Sequence, residues 1–262
     1  MRLFFSFGLL LILFIDNVLI AQEKDSVFYF NSAFKSEEKL QYKVRYGLIK
    51  GGEASMTINT VPDGDSYVFH IRAIAKTTGV VGAMVTIKDI YESYVNIATG
   101  YPIKSVRNIR ESSYTSYNEV LFFREQGFLR SLKSGDKPAP DNVLDVLSAF
   151  YYARRYLFSN TLSKNEIINL YTFFDDEFFP IKVKFKQIET VKTKFGKIKC
   201  LLFIPVLGDK SPFKNEEQFQ VWVTADENYI PVKIRVKLPV GSLKCDILDF
   251  EGIKNEYGQL QK

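Results

Sequence analysis

The chain is poor in the residues that enzymes most often use for acid–base and metal chemistry. Its 262 residues include one histidine, His70, two cysteines and one tryptophan. A Ser-His-Asp triad could be built only around His70, and no G-x-S-x-G segment is present. One histidine and two separated cysteines lack the spacing of a zinc site, and no glycine-rich phosphate loop occurs. We therefore expect no catalytic residue, no metal and no cofactor.

Paired carboxylates leave one enzymatic alternative, a hydrolase that cleaves glycosidic bonds with an acid and a base. Asp89 and Glu92 lie three residues apart on a predicted strand, so their side chains should point to opposite faces. The run Asp175-Asp176-Glu177 stands between two Phe-Phe pairs and has the composition of a turn. Both groups are better explained as structural, which makes a hydrolase the least favoured function.

The N-terminus has the parts of a secretory signal over residues 1–21. Arg2 precedes an apolar run at residues 3–15, and a helix of that length rises about 20 Å, short of the roughly 30 Å hydrocarbon core. Ala21 provides the small residue that a signal peptidase requires, and no cysteine lies nearby for lipid attachment. We expect cleavage near Ala21, with an uncleaved membrane anchor as the alternative. Residues 22–262 would then form a single β-rich domain that is periplasmic or secreted and does not span a membrane.

The net charge of +5 could suggest an anionic partner such as nucleic acid. Its distribution argues otherwise, because lysines alternate with apolar residues, as at Lys182, Lys184 and Lys186. This alternation is typical of a solvated sheet face. We expect no nucleic-acid partner.

The two cysteines each lie on the apolar side of a predicted strand. Cys200 stands among Ile198, Leu202 and Ile204, which favours burial as a small apolar side chain, and Cys245 has a similar setting. Export to an oxidising compartment leaves a Cys200–Cys245 disulfide as the alternative.

Alternation of apolar and polar residues is the main secondary-structure signal. At residues 40–48 the even positions are apolar and the odd positions between 39 and 45 are lysine, glutamine or arginine. Turn sequences such as Pro62-Asp63-Gly64-Asp65 separate further segments at the intervals of a meander. We predict a mainly β fold, an antiparallel meandering sheet curled into a barrel or half-barrel. Later strands are predicted at 85–96, 103–111, 117–123, 127–133, 181–188, 197–205, 218–224, 232–238 and 243–249.

One segment has helical spacing instead. Asp141 follows a proline-containing loop and can cap a helix, and apolar residues continue at helical intervals to residue 157. We predict one substantial helix at about 141–157, packed against the sheet. The segment 79–82 is predicted to be a flexible apolar turn. Trp222 stands among glutamines and a threonine, which predicts a position at a rim of the core.

Four segments occur in a characteristic order. They are EKLQYKV at 38–44 leading to Gly47 and Gly51-Gly52, DIYES at 89–93, DVLSAFYYAR at 145–154, and VWVTAD at 221–226 leading to Pro231. In this order the chain resembles the exported bacterial proteins grouped as domain of unknown function 3108. The resemblance implies a periplasmic, β-rich protein of a Gram-negative bacterium and supplies no activity.

Asp145 and Arg154 belong to the helix segment of that resemblance. They are nine residues apart and project from different sides of a helix, so they should not pair with each other. Each is expected to tether the helix to the sheet by a charge-assisted bond. Contact with a ligand is the alternative for both residues, and for Trp222.

Two functions from different classes remain. In the first, a non-catalytic protein binds an apolar or amphipathic ligand such as a lipid within the curled sheet or at its mouth. In the second, a cell-envelope module with a filled core binds a protein or a polysaccharide. An interior cavity lined by Phe, Tyr and Val would favour the first, and a filled core would favour the second. We expect the first.

Overall fold

The structure is a computed structural model, and the residues it describes are 33–206, 215–256, 258 and 260. The expected signal segment and the cleavage near Ala21 lie outside the described residues. The described residues form fifteen β-strands and two α-helices. In chain order these are β1 (Glu38–Tyr46), β2 (Ile49–Asp63), β3 (Ser66–Thr77), α1 (Gly79–Met84), β4 (Lys88–Asn96), β5 (Pro102–Glu111), β6 (Tyr114–Phe123), β7 (Phe128–Ser131), β8 (Gly135–Pro138), β9 (Val143–Leu144), α2 (Val146–Ser159), β10 (Ile167–Phe174), β11 (Glu177–Thr193), β12 (Gly196–Pro205), β13 (Phe219–Thr224), β14 (Pro231–Lys237) and β15 (Ser242–Glu251).

The strands form one sheet in which each strand pairs with a neighbour in sequence, except at the centre. There β1 pairs with β15, so the first and last strands join an N-terminal meander of β1 to β8 to a C-terminal meander of β10 to β15. The pairings are antiparallel apart from β9 with β10. Strands β8 and β9 stand at the two edges.

The sheet curls around α2. This helix contacts β3 and β4 in one half of the sheet and β10 in the other. Those strands lie far apart in the strand order, so a single helix can touch both groups only if the sheet bends around it. The edges β8 and β9 do not pair with each other, and the curled sheet therefore stays open. The expectation of a mainly β barrel or half-barrel with one substantial helix is confirmed.

Buried side chains form four clusters. One cluster joins β1 to β12 through residues such as Leu40 and Leu202. Two more pack on α2, the first around Leu157 and the second around Tyr151. A fourth, around Phe173, joins β6 and β7 to β9 and β10, so the two ends of the sheet meet through side chains. Each fully buried aliphatic or aromatic side chain stabilises the folded state by about 1.5–3 kcal/mol relative to an exposed one.

The predicted start of the long helix is wrong for a reason that only the tertiary structure supplies. The helix begins at Val146 and not at 141, because Val143 and Leu144 pair with β10 as the parallel strand β9. The segment predicted as a flexible turn begins the short helix α1. The edge strands β8 and β9 escape prediction because they are four and two residues long.

Candidate functional site

Asp145 caps α2 and fastens it to the sheet. Its carboxylate accepts hydrogen bonds from the backbone N–H groups of Leu147 (2.8 Å) and Ser148 (3.2 Å). The backbone N–H of Asp145 in turn donates to the Ser148 hydroxyl (2.9 Å), which completes a capping box. The other carboxylate oxygen accepts from the Ser93 hydroxyl of β4 at 2.5 Å. Burial raises the pKa of Asp145, and the Ser93 and Ser148 bonds oppose that rise. The residue therefore joins the start of the helix to β4.

Arg154, two turns further along α2, forms a fully buried ion pair with Glu38 of β1. The two guanidinium NH groups lie 2.6 and 2.8 Å from the two carboxylate oxygens, a bidentate arrangement. The same guanidinium donates to the backbone carbonyls of Asn228 and Ala33. Burial alone would lower the pKa of Arg154, but the Glu38 carboxylate, with smaller contributions from Tyr151 and Tyr42, raises it. Arg154 thus holds the middle of α2 to β1, at the centre of the sheet, and to the segment around Asn228.

Trp222 and the two cysteines lie in the cluster that joins β1 to β12. Trp222 is 6% exposed, and its indole N–H donates to Glu189 at 2.7 Å, so the rim position predicted from its neighbours is wrong. Cys200 and Cys245 are both buried free thiols. Burial raises the pKa of each thiol to about 12. These three residues do not converge with Asp145 and Arg154 on one site.

A small cleft lies where the two ends of the sheet approach each other. Asp175 and Asp176, at the β10–β11 turn, both have positive φ, as a tight hairpin turn requires. Asp175 pairs with Arg107 of β5 at 2.6 Å, and Asp176 accepts a 2.5 Å hydrogen bond from Ser131 of β7. The turn predicted at this acidic run is therefore present, and its carboxylates tie the halves of the open sheet together.

The cleft is lined by polar, aromatic and aliphatic side chains, and the polar ones are the most numerous. The Tyr91 and Phe174 rings stack with centroids 6.2 Å apart, and the guanidinium carbon of Arg107 lies 5.1 Å from the Phe174 ring centroid. The cavity has a volume of about 40 Å³. A second cavity beside Tyr151, at the other end of α2, has about 10 Å³. A cavity needs about 10–15 Å³ by this measure to hold one water molecule. These two cavities therefore have room for only a few water molecules.

Deeper in the same end of the curl, Asp89 of β4 faces Glu111 of β5. Asp89 is fully buried, and its carboxylate accepts a hydrogen bond from the Arg110 backbone at 3.3 Å. Its second oxygen and one Glu111 oxygen are buried without a hydrogen bond of good geometry to the described residues. Burial first, and the Glu111 charge second, raise the pKa of Asp89 to about 6.

Glu92, the second carboxylate of the hydrolase alternative, points away from Asp89. Glu92 bonds to Arg72 at 2.9 Å and lies 3.6 Å from the only histidine, His70. Because Asp89 and Glu92 face opposite sides of β4, the structure does not bring them together as an acid and a base. No group of three or more metal-ligating side chains is placed to hold an ion within the residues that the structure describes. Those residues also include no helix that is long and apolar enough to cross a bilayer.

Sequence reasoning assigned no role to Glu38, Ser93 or Arg107. The sequence did contain a signal that Glu38 is buried, because Glu38 lies at an even position of β1, as do the buried residues Leu40 and Tyr42. A carboxylate at such a position needs a cationic partner. The partner itself could not be read from the chain, because Arg154 is 116 residues away.

These features define a class: an open, barrel-like antiparallel sheet wrapped around one helix that is held by buried polar bonds. Residues 41–247 match the family described as Protein of unknown function (DUF3108), and the chain belongs to that family, as the order of its segments predicted.

Two solved structures are similar in fold. One is a beta-barrel-like protein of domain of unknown function DUF1849 from Brucella abortus, at 9% identity and a TM-score of 0.54, covering 85% of this chain and 99% of that chain. The other is a DUF1089 family protein from Pseudomonas aeruginosa, at 11% identity and a TM-score of 0.36, covering 83% of this chain and 95% of that chain. The first supports the barrel-like fold, and the second is too distant to support an argument. No curated protein sequence matches the chain significantly.

Proposed function

We propose that this chain is an exported, non-catalytic protein of the cell envelope that acts by binding another envelope component on its outer surface. Export is supported by the apolar run at residues 3–15 and by Ala21 after it. The non-catalytic role is supported by the separation of the carboxylates, since Asp89 and Glu92 face opposite sides of one strand and Asp175 and Asp176 serve as structural ties.

The filled interior is the observation that carries this proposal over a carrier function. Small-molecule sites usually have volumes of about 300–1,000 Å³. The larger cavity described above has about 40 Å³, because α2 and its side-chain clusters occupy the space that a ligand would need. A carrier of an acyl chain would have to displace those clusters. Recognition on the outside requires no such rearrangement.

Sedimentation with envelope fractions tests the proposal. The chain would be expressed with its own leader, purified from the periplasm, and mixed with membrane vesicles and with peptidoglycan from the same cells. We expect it to sediment with at least one fraction, while an unrelated periplasmic protein of similar net charge stays in solution. If the protein sedimented with none of the fractions, the proposal would be overturned.

A further inference from the structure

One end of the curled sheet exposes a group of large apolar side chains. Leu48 is 92% exposed, Met84 79%, Val80 77% and Val240 76%. With Ile49 and Val85, which are also exposed, they form what we call the apolar rim. Single exposed apolar residues are normal on protein surfaces, but a contiguous group marks an interaction site.

The rim is contiguous because hydrogen bonds join the three segments that form it. The Tyr46 hydroxyl donates to the Val240 carbonyl at 2.6 Å, which ties the β14–β15 turn to the β1–β2 turn. The Thr78 backbone N–H donates to the Gly51 carbonyl at 3.1 Å, which ties α1 to the start of β2. Each segment is thereby held with its apolar side chains facing solvent at the same end.

Exposed lysines lie immediately beside the rim. Lys50 follows Ile49, and Lys76 and Lys88 flank the segment that contains α1. Lys76 and Lys88 stand directly opposite each other on β3 and β4, where like charges repel. Glu53 partly offsets this charge, since it pairs with Lys50 at 2.6 Å and lies opposite Lys76. We call Lys50, Lys76 and Lys88 the basic band. An anionic surface would relieve the repulsion within it.

We propose that the apolar rim and the basic band dock the protein onto a bilayer surface that contains anionic lipid. This inference rests on the proposed function and names the envelope component as lipid. Apolar side chains at the tip of a protein can enter the boundary between headgroups and acyl chains, and adjacent lysines then meet the headgroups. Lysine stems are long enough to lie along that boundary with their charges in water. A protein partner would account for the apolar rim, but the facing lysines favour a surface of many negative charges.

Flotation with synthetic vesicles tests this docking. The protein recovered from the periplasm would be mixed with phosphatidylcholine vesicles that either contain or lack phosphatidylglycerol. We expect binding to the anionic vesicles that weakens with added salt, because exposed charges are screened. The double variant Lys76→Gln/Lys88→Gln should bind about twenty- to thirty-fold more weakly at low salt, since each lysine near an anionic surface contributes about fivefold.

The apolar contribution is tested separately with the double variant Leu48→Asp/Met84→Asp. It should bind roughly tenfold or more weakly, because an aspartate cannot enter the apolar boundary and is repelled by anionic lipid. Tyr67→Asp is the matched control, since Tyr67 is 64% exposed at the opposite end, beside the β2–β3 turn. It should bind as the unmodified protein does. Unchanged melting temperatures would show that all these variants fold.

The outcomes separate the two proposals. No binding to anionic vesicles, or equal loss of binding in the Tyr67→Asp control, overturns the docking inference. If the protein still sediments with the envelope fractions in that case, the proposed function stands and its partner is a protein or a polysaccharide. If it binds neither, both proposals fail.

Discussion

Arg154→Met removes the positive charge from the middle of α2 while keeping an unbranched side chain of similar length. In the native protein the Arg154 guanidinium binds both oxygens of Glu38 and the carbonyls of Asn228 and Ala33, all out of contact with solvent. The variant leaves the Glu38 carboxylate buried without its cation. Breaking a buried ion pair by removing one partner usually costs about 3–5 kcal/mol.

The Asn228 and Ala33 carbonyls also lose their donor in this variant, and each unsatisfied buried polar group costs about 1–3 kcal/mol. We therefore expect the loss in the free energy of unfolding to lie in the upper part of the 3–5 kcal/mol range, about 4–5 kcal/mol. For a chain of this size, about 2–4 °C of melting temperature corresponds to each kcal/mol. We therefore expect the melting temperature to fall by roughly 8–20 °C. Adding Glu38→Gln removes the uncompensated charge and should restore about 1–3 kcal/mol.

Urea unfolding provides the assay, with the fluorescence of Trp222 as the reporter because it is the only tryptophan and is buried. Circular dichroism should give the same transition if unfolding is two-state. If the Arg154→Met variant were within about 1 kcal/mol of the unmodified protein in its free energy of unfolding, the ion pair would not be what holds the helix. A double variant less stable than Arg154→Met alone would also contradict this prediction, because the buried charge would then not be the cause.

Three further predictions follow from buried groups. The pKa of Asp89 in the folded protein, about 6, lies above its value in the unfolded chain. The native state therefore binds more protons than the unfolded state between about pH 4 and 6, and the free energy of unfolding falls as the pH rises through that window. Asp89→Asn should remove that fall and raise the free energy of unfolding in urea by about 2–3 kcal/mol at pH 7. If the free energies of unfolding of the variant and of the unmodified protein changed with pH in parallel, this prediction would be wrong. Cys200 and Cys245 should not react with a thiol reagent in the native protein and should both react in urea, and no reaction in urea would instead indicate a disulfide. Asp145→Ala should lower the free energy of unfolding by about 2 kcal/mol or more through loss of the cap and of the Ser93 bond. Asp145→Asn should lower it by less, because its amide oxygen can still cap the helix, and equal losses in the two variants would contradict the capping role.

The strands were the most predictable part of the fold because their signal is local. In β1 the side chains at positions 38, 40, 42 and 44 are buried and those between them are not, which is the alternation read from the sequence. The start of α2 was less predictable, since Asp141 and Asp145 both have cap chemistry. The pairing of Val143 and Leu144 with β10 decides between them, and that pairing depends on residues far along the chain.

The environment of Trp222 shows why composition can mislead. Its neighbours on the strand, Gln220 and Thr224, are polar and suggested an exposed face, yet they are 6% and 0% exposed. Both find partners inside the protein, Gln220 with Arg235 and Thr224 with Asp226. Polar residues can thus line a buried face when hydrogen bonds satisfy them. The sequence alone does not show which polar residues have such partners.

The most direct test of the central claim, that the protein acts through its surface around a filled interior, is native mass spectrometry of the chain purified from the periplasm. We expect the mass of the processed polypeptide with no stoichiometric small molecule attached. A bound lipid in one-to-one ratio, lost only on denaturation, would contradict a filled interior and would favour a ligand carrier.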